Sequence, residues 1–213
     1  MKNQLKIFEK PTRICKICFK KLETADFYEV YNGDSCVCKL CLQKLVPKFI
    51  KFEVEAIDGL AIYEYDDNIK AILYQLKGCY DIELAPVFFN RMKRELHLMY
   101  RGYTMIPAPS YYKDDERREF KHVEEIFKSI NLPIEYAIEK ISYFKQAEHT
   151  RKERGHIWQH LRLVKPEAIT GKKILIVDDV STTGATLKAL VRLVKSAKPK
   201  RIKILVMSKR VIK

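Results

Sequence analysis

Two adjacent carboxylates, Asp178 and Asp179, stand directly before a cluster of hydroxyl side chains in this chain. The run from 174 to 186 reads Ile-Leu-Ile-Val-Asp-Asp-Val-Ser-Thr-Thr-Gly-Ala-Thr. Carboxylates accept hydrogen bonds and repel anions, so these two suit the neutral hydroxyls of a sugar. Ser181, Thr182, Thr183 and Thr186 supply donors instead. Gly184 permits positive φ and a close backbone approach. If a helix starts here, the N–H groups of Thr182, Thr183, Gly184 and Ala185 face outward, where the helix dipole favours an anion. A phosphate cradle beside a diol site fits a ribose 5-phosphate.

The surrounding pattern predicts elements that place these groups. Four aliphatic residues before Asp178 read as a buried parallel strand. The apolar spacing after Gly184 reads as a helix over 185–197. In open α/β sheets, ligands bind just beyond the carboxyl ends of the strands.

Four cysteines form a second constellation. Cys15-Lys-Ile-Cys18 and Cys38-Lys-Leu-Cys41 are two Cys-x-x-Cys pairs whose spacing matches a structural zinc site. Each pair turns both sulfurs towards one tetrahedral ion. Cys36 competes with Cys38 as a ligand, although Cys36-x-Cys38 is a poorer bite. A segment of about 50 residues buries little core, so metal binding supplies folding energy there. Tyr31-Asn32-Gly33-Asp34 reads as a hairpin turn, because Asn-Gly favours positive φ. The stretch after Cys41, through Lys51, reads as a short basic helix.

The 213 residues are 47% hydrophobic, enough for a core, with no 18-residue apolar run to span a membrane. The first ten residues lack the apolar centre of a secretory signal. These features point to the cytoplasm, where cysteines stay reduced. Lysine plus arginine number 41 against 27 acids, a net charge of +14. No acidic residue follows Asp179. This asymmetry suits contact with nucleic acid or with an anionic membrane surface.

Between these constellations, apolar and polar residues alternate in β and α periods. Strands are expected at 59–65, 103–106, 135–141, 161–164, 173–178 and 202–207. Helices are expected from a cap at Asp66 to Gly78, and over 81–100 and 114–130. Lys77 reads as a helix-end lysine lying along the surface, with a reach to a diphosphate as the alternative, and Cys79 as a buried thiol. The alternation predicts an α/β fold with a mostly parallel sheet flanked by helices. Residues 1–55 form a small zinc-finger domain on this reading, and residues 56–213 the larger domain.

The 178–186 run resembles the signature of type I phosphoribosyltransferases, which bind 5-phosphoribosyl-1-pyrophosphate (PRPP). The resemblance implies that fold. It implies that Asp178 and Asp179 hold the ribose hydroxyls as the catalytic carboxylates, and that Ser181, Thr182, Thr183, Gly184, Ala185 and Thr186 wrap the 5′-phosphate. One branch is also similar along almost the whole chain: the ComF-like competence proteins, which join a zinc finger to such a domain. The matching pieces are the cysteine pairs, the stretch from Asp66 to Gly78, the Pro107–Ser110 turn, Lys145-Gln146 and Glu153-Arg154. By this likeness Pro109 and Ser110 face the pyrophosphate. Residues 142–160 form a cationic lid in which Lys145 and Arg154 grip it. The glycine-phenylalanine-asparagine-glutamine segment usual after the proline turn is replaced by Arg118-Glu119-Phe120-Lys121-His122.

The implied cofactors are structural zinc on Cys15, Cys18, Cys38 and Cys41, and Mg²⁺ arriving with PRPP. The implied role is in natural transformation, handling imported single-stranded DNA with a helicase-like partner, in the cytoplasm or at the inner face of the membrane. The alternative is an active transferase moving ribose 5-phosphate to a nucleobase or amine with release of pyrophosphate.

Overall fold

The computed structural model describes residues 13–22, 36–141 and 160–211. Five strands form its main sheet: β1 (Ile50–Val54), β2 (Ile57–Glu64), β3 (Thr104–Pro107), β6 (Lys173–Ser181) and β7 (Arg201–Lys209). Their order is β1-β2-β7-β6-β3. The β2–β7, β7–β6 and β6–β3 pairs are parallel, and β1 closes one edge antiparallel to β2. Two short strands, β4 (Ile138–Lys140) and β5 (Leu161–Leu163), form a separate antiparallel pair.

β6, flanked by β7 and β3, carries the logic of the fold. Ile174, Leu175, Ile176 and Val177 are all fully buried, as expected for a parallel strand covered on both faces. Side chains alternate across a strand. Leu175 and Val177 join a core with Leu205, Met207, Phe88 and Phe127. Ile174 and Ile176 join the other core with Leu187, Leu190, Val191 and Val194. Each large apolar side chain so buried contributes about 1.5–3 kcal/mol relative to exposure.

Among the described residues, six α-helices accompany the sheet: α1 (Lys39–Leu42), α2 (Asp67–Gly78), α3 (Lys93–Met99), α4 (Tyr112–Arg118), α5 (His122–Lys128) and α6 (Ala185–Ser196). Helix α2 starts as the sequence suggests, with the Asp66 side chain accepting from the Ile69 N–H at 2.9 Å. It buries Ile69, Ile72, Leu73 and Leu76. On the opposite face of the sheet, α6 buries Leu187, Leu190, Val191 and Val194.

Several expectations need correction. The helix expected after Cys41 ends at Leu42, and the chain passes Pro47 into β1. The helix expected over 81–100 splits into a 3₁₀ segment, Ile82–Val87 with Pro86 inside, and α3. Proline removes a donor and clashes with the preceding turn. The 114–130 helix divides at Glu119, whose φ of 65° is left-handed. The strand expected at 135–141 shortens to β4 and pairs with β5, outside the main sheet. Gly78 is the last helical residue of α2, and the left-handed residue beyond it is Tyr80. Cys79 is exposed.

Glu55 and Ala56 turn β1 into β2. The cysteine segment packs onto the larger core: Cys15, Val37, Cys41 and Leu45 share a cluster with Ile62, Tyr63 and Phe88. The asparagine-glycine turn at 31–34 lies outside the described residues.

Candidate functional site

The site forms where β6 and β3 leave the sheet side by side. Pro107 is in register with Val177, and the Ala108 N–H donates to the Val177 carbonyl at 2.8 Å. The Pro107–Ser110 turn therefore stands next to Asp178 and Asp179. β6 runs on to Ser181, beyond the end at Asp178 that the sequence suggests.

Strand alternation aims Asp178 to the face of Ile176 and Asp179 to the face of Val177. Both are buried, at 8% and 6% exposure. Asp178 Oδ1 accepts from the Asp179 N–H at 2.9 Å, and Asp179 Oδ1 accepts from the Val180 N–H at 2.8 Å. Asp179 Oδ2 receives two further donors: Lys77 Nζ at 2.6 Å and His122 Nε2 at 3.2 Å.

These surroundings split the two acids. Burial raises both, but the Lys77 ammonium and the His122 N–H outweigh it at Asp179 and hold that carboxyl well below its usual range. Burial and the neighbouring Asp179 charge push Asp178 well above its usual range. The network thus favours the charged form at Asp179 and the protonated form at Asp178.

Reading the sequence missed two members of this network. Lys77 does not lie along the surface; it turns inward onto Asp179. His122 is 6% exposed. Its Nδ1 lies 2.7 Å from an Arg118 guanidinium nitrogen and 3.3 Å from Ser110 Oγ. Guanidinium only donates, so Nδ1 accepts and Nε2–H points at Asp179. Burial holds the imidazole below its ordinary pKa, consistent with that neutral tautomer. Arg118 is anchored by Asp115 at 3.4 Å. Ser110 and Asp179 are thus joined through one ring. Arg118 and His122 begin and end the segment already singled out as unusual, which was the available signal.

The hydroxyl loop follows β6. Gly184 has φ 74° and ψ 7°, and α6 begins at the next residue. A Cβ at Gly184 would meet no atom within 4 Å, so the position faces open space. The Ala185 N–H reaches Thr183 Oγ1 at 3.4 Å. Thr183 is exposed, while Thr182, Ala185 and Thr186 are half-buried. Ser181 is 3% exposed, and its hydroxyl has no hydrogen-bond partner among the described residues. A buried hydroxyl left unpaired costs free energy and points to a missing partner. Pro109 and Ser110 line a cavity of about 400 Å³ together with Lys121, Tyr136 and Lys140. Lys145 and Arg154, with the rest of the expected lid, lie outside the described residues apart from His160.

The cysteine pairs converge. The sulfurs of Cys15, Cys18, Cys38 and Cys41 all lie within 4.8 Å of one another, a set that can hold a metal ion. Cys18 and Cys38 Sγ are 3.6 Å apart. A tetrahedral zinc with Zn–S of about 2.3 Å places its sulfurs roughly 3.8 Å apart. Cys36 is outside the set, and Cys38 is inside it. Burial opposes ionisation of Cys15, yet N–H groups of Cys38, Cys18 and Ile17 bring its thiol down to about 6. Burial and the neighbouring thiols push Cys41 the other way, and a bound cation is what would favour the thiolate form at all four.

Comparison with known proteins agrees with this picture. The model of the phosphoribosyl transferase domain matches residues 87–211. Competence protein ComFC of Streptococcus pneumoniae (strain ATCC BAA-255 / R6) is 24% identical over 215 residues, covering 89% of this chain and 96% of that protein. Among solved structures, a hypoxanthine phosphoribosyltransferase from Staphylococcus aureus is 21% identical, with a TM-score of 0.35. That match covers 65% of this chain, which spans 61% of the length of that one. A hypoxanthine-guanine phosphoribosyltransferase from Bacillus anthracis is 20% identical with a TM-score of 0.36, covering 62% of this chain and 75% of its own. Among the described residues, no helix is long and apolar enough to cross a membrane.

Proposed function

The chain belongs to the phosphoribosyl transferase domain family, and on that footing we propose that it binds PRPP beyond the carboxyl end of β6. The observation that carries this reading is the Ser181 hydroxyl, buried and unpartnered between the two aspartates and the left-handed turn at Gly184. A phosphate in that turn supplies the missing acceptor. The residues assigned to it are Ser181, Thr182, Thr183, Gly184, Ala185 and Thr186. Asp179 accepts from one ribose hydroxyl. Asp178 carries the proton that a second hydroxyl, or a departing group, exchanges. Pro109 and Ser110 face the pyrophosphate, with Lys145 and Arg154 supplied by the lid.

Mg²⁺ arriving with PRPP would neutralise part of the leaving charge, with Asp178 and Asp179 the carboxylates available to it. Zinc is the ion assigned to Cys15, Cys18, Cys38 and Cys41, because four thiolates suit it. The division at residues 1–55 and 56–213 is proposed with that assignment, the first part lending β1 as an edge strand to the sheet of the second.

For the biological role, similarity along nearly the full length of a competence protein supports action in natural transformation. Its finer form is the handling of imported single-stranded DNA beside a helicase-like partner, in the cytoplasm or at the inner membrane face. The net charge of +14 favours a polyanion. The second reading is a working transferase. What favours it is the split pair, a fixed anion beside a proton carrier, an arrangement suited to moving a proton at neutral pH.

Incubation with PRPP, Mg²⁺ and a panel of nucleobases and amines separates the two readings. The binding-module reading expects no pyrophosphate above background with any acceptor. It also expects loss of transformation when Asp178→Ala/Asp179→Ala replaces the natural chain. Turnover of any one acceptor, abolished by the same variant, shows the transferase reading to be right.

A further inference from the structure

A larger cavity of about 650 Å³ opens between α2 and α4. Its walls combine Tyr65, Tyr74 and Tyr80 with Lys70, Lys77 and Arg117. Lys77 also reaches Asp179, so this cleft adjoins the sugar-phosphate site without sharing its loops.

The cleft wall follows from helical geometry. Ile69, Leu73 and Leu76 turn α2 towards the core. Lys70, Tyr74 and Lys77 recur at i, i+4 and i+7 and form a cation–aromatic–cation stripe on a neighbouring face. Tyr74 is 67% exposed and Tyr80 42%. Water-facing rings of this size bring no core stability. Both are nevertheless held. A Cβ at Gly78 would lie 3.0 Å from the Tyr74 ring, so the bare glycine lets that ring rest on the last turn of α2. Tyr80 occupies a left-handed φ of 62°, uncommon for a bulky residue. Hydrogen bonds from the Cys79 and Asp81 N–H groups to the Gln75 carbonyl pin that turn.

Exposed rings flanked by cations match one ligand chemistry closely. Bases stack on the rings while phosphates meet the ammonium and guanidinium groups. A free base supplies the stack but no phosphate for Lys70 and Arg117. A strand supplies both. Asp67 and Asp114 also line the cleft, and Asp114 pairs with Arg117 at 3.1 Å while the Arg117 side chain stays 61% exposed.

The geometry points to this cleft as the binding surface for single-stranded nucleic acid, with a base on Tyr74 and the adjoining phosphates on Lys70 and Arg117. The inference rests on the strand-handling reading above and names its surface. It is tested on the full chain by fluorescence anisotropy with a labelled oligothymidylate of about ten nucleotides, from about 50 to 200 mM salt. Tyr74→Ala weakens binding about tenfold and Tyr74→Phe by less than about twofold, because the ring and not the hydroxyl stacks. Lys70→Ala lowers the salt slope by about one. Tyr74 and Lys70 are exposed, and an unchanged melting curve establishes that each variant is folded.

Oligonucleotide binding that is indifferent to both Tyr74→Ala and Lys70→Ala overturns the surface and leaves strand handling intact. No oligonucleotide binding at low salt, in protein that still binds PRPP, removes the strand while PRPP binding survives. Full displacement of the oligonucleotide by free thymine or adenine at comparable concentration makes the cleft an acceptor pocket and also overturns it.

Discussion

Asp178 and Asp179 are neighbours of one chemical type, and their surroundings make them opposites. Asp179 gains Lys77 and His122, so its folded pKa is depressed. Its contribution to stability is present above about pH 4, the unfolded value, and fades as pH falls further. Asp178 has a raised folded pKa. The unfolded chain releases that proton near pH 4 while the folded chain keeps it, so rising pH favours unfolding. Asp178→Asn should therefore raise stability at pH 7 by about 1–2 kcal/mol, with the gain vanishing as pH approaches 4. Asp179→Asn should lower it at pH 7 by about 1–2 kcal/mol, a value held down because Lys77 is 36% exposed. Urea melts of both variants between about pH 4 and 8 check the signs. Equal shifts of one sign would contradict the split pair. The identity of these two acids is plain in the sequence. Their inequality is not, because Lys77 and His122 stand 102 and 57 positions away along the chain.

Elements buried on both faces announce themselves. The Ile174–Val177 run is apolar throughout because β6 has core above and below it. The cap at Asp66 is local, and so it was readable. The break between α4 and α5 was hidden because Glu119 takes a left-handed φ without the usual glycine. Expected β4 was misplaced because pairing with β5 is decided by neighbours distant in sequence. Gly184 offers a test at this scale. Its φ of 74° suits glycine, and a Cβ there meets nothing. Gly184→Ala should then cost about 1–2 kcal/mol from backbone strain alone, read as a lower melting temperature. On the proposed reading, in which this turn cradles the phosphate, affinity for PRPP should fall more steeply than stability. A variant as stable as the parent would mean the turn relaxes without cost.

At the scale of the molecule, the cysteine segment and the α/β core are one packing unit. Cys15, Val37, Cys41 and Leu45 lie in the cluster that contains Phe88 and Phe127, and the Lys48 N–H donates to the Ile62 carbonyl at 2.7 Å. Removal of zinc with a strong chelator should therefore lower the melting temperature of the whole chain in a single transition. The pairwise substitution Cys15→Ser/Cys18→Ser should do the same and release the metal. Zinc content equal to that of the parent would refute the ligand set. A separate early transition would show that the segment melts alone. The convergence of these four cysteines was legible from spacing. The shared core was not, because it depends on which face of the sheet the segment covers.

All of this converges on one ligand beyond β6. Titration of PRPP into the protein by calorimetry, with Mg²⁺ in excess, tests it most directly. The account predicts saturable binding at one site per chain by the parent, and none by Asp178→Ala/Asp179→Ala under the same conditions. A parent that gives no binding heat, or a double variant that binds as the parent does, contradicts it.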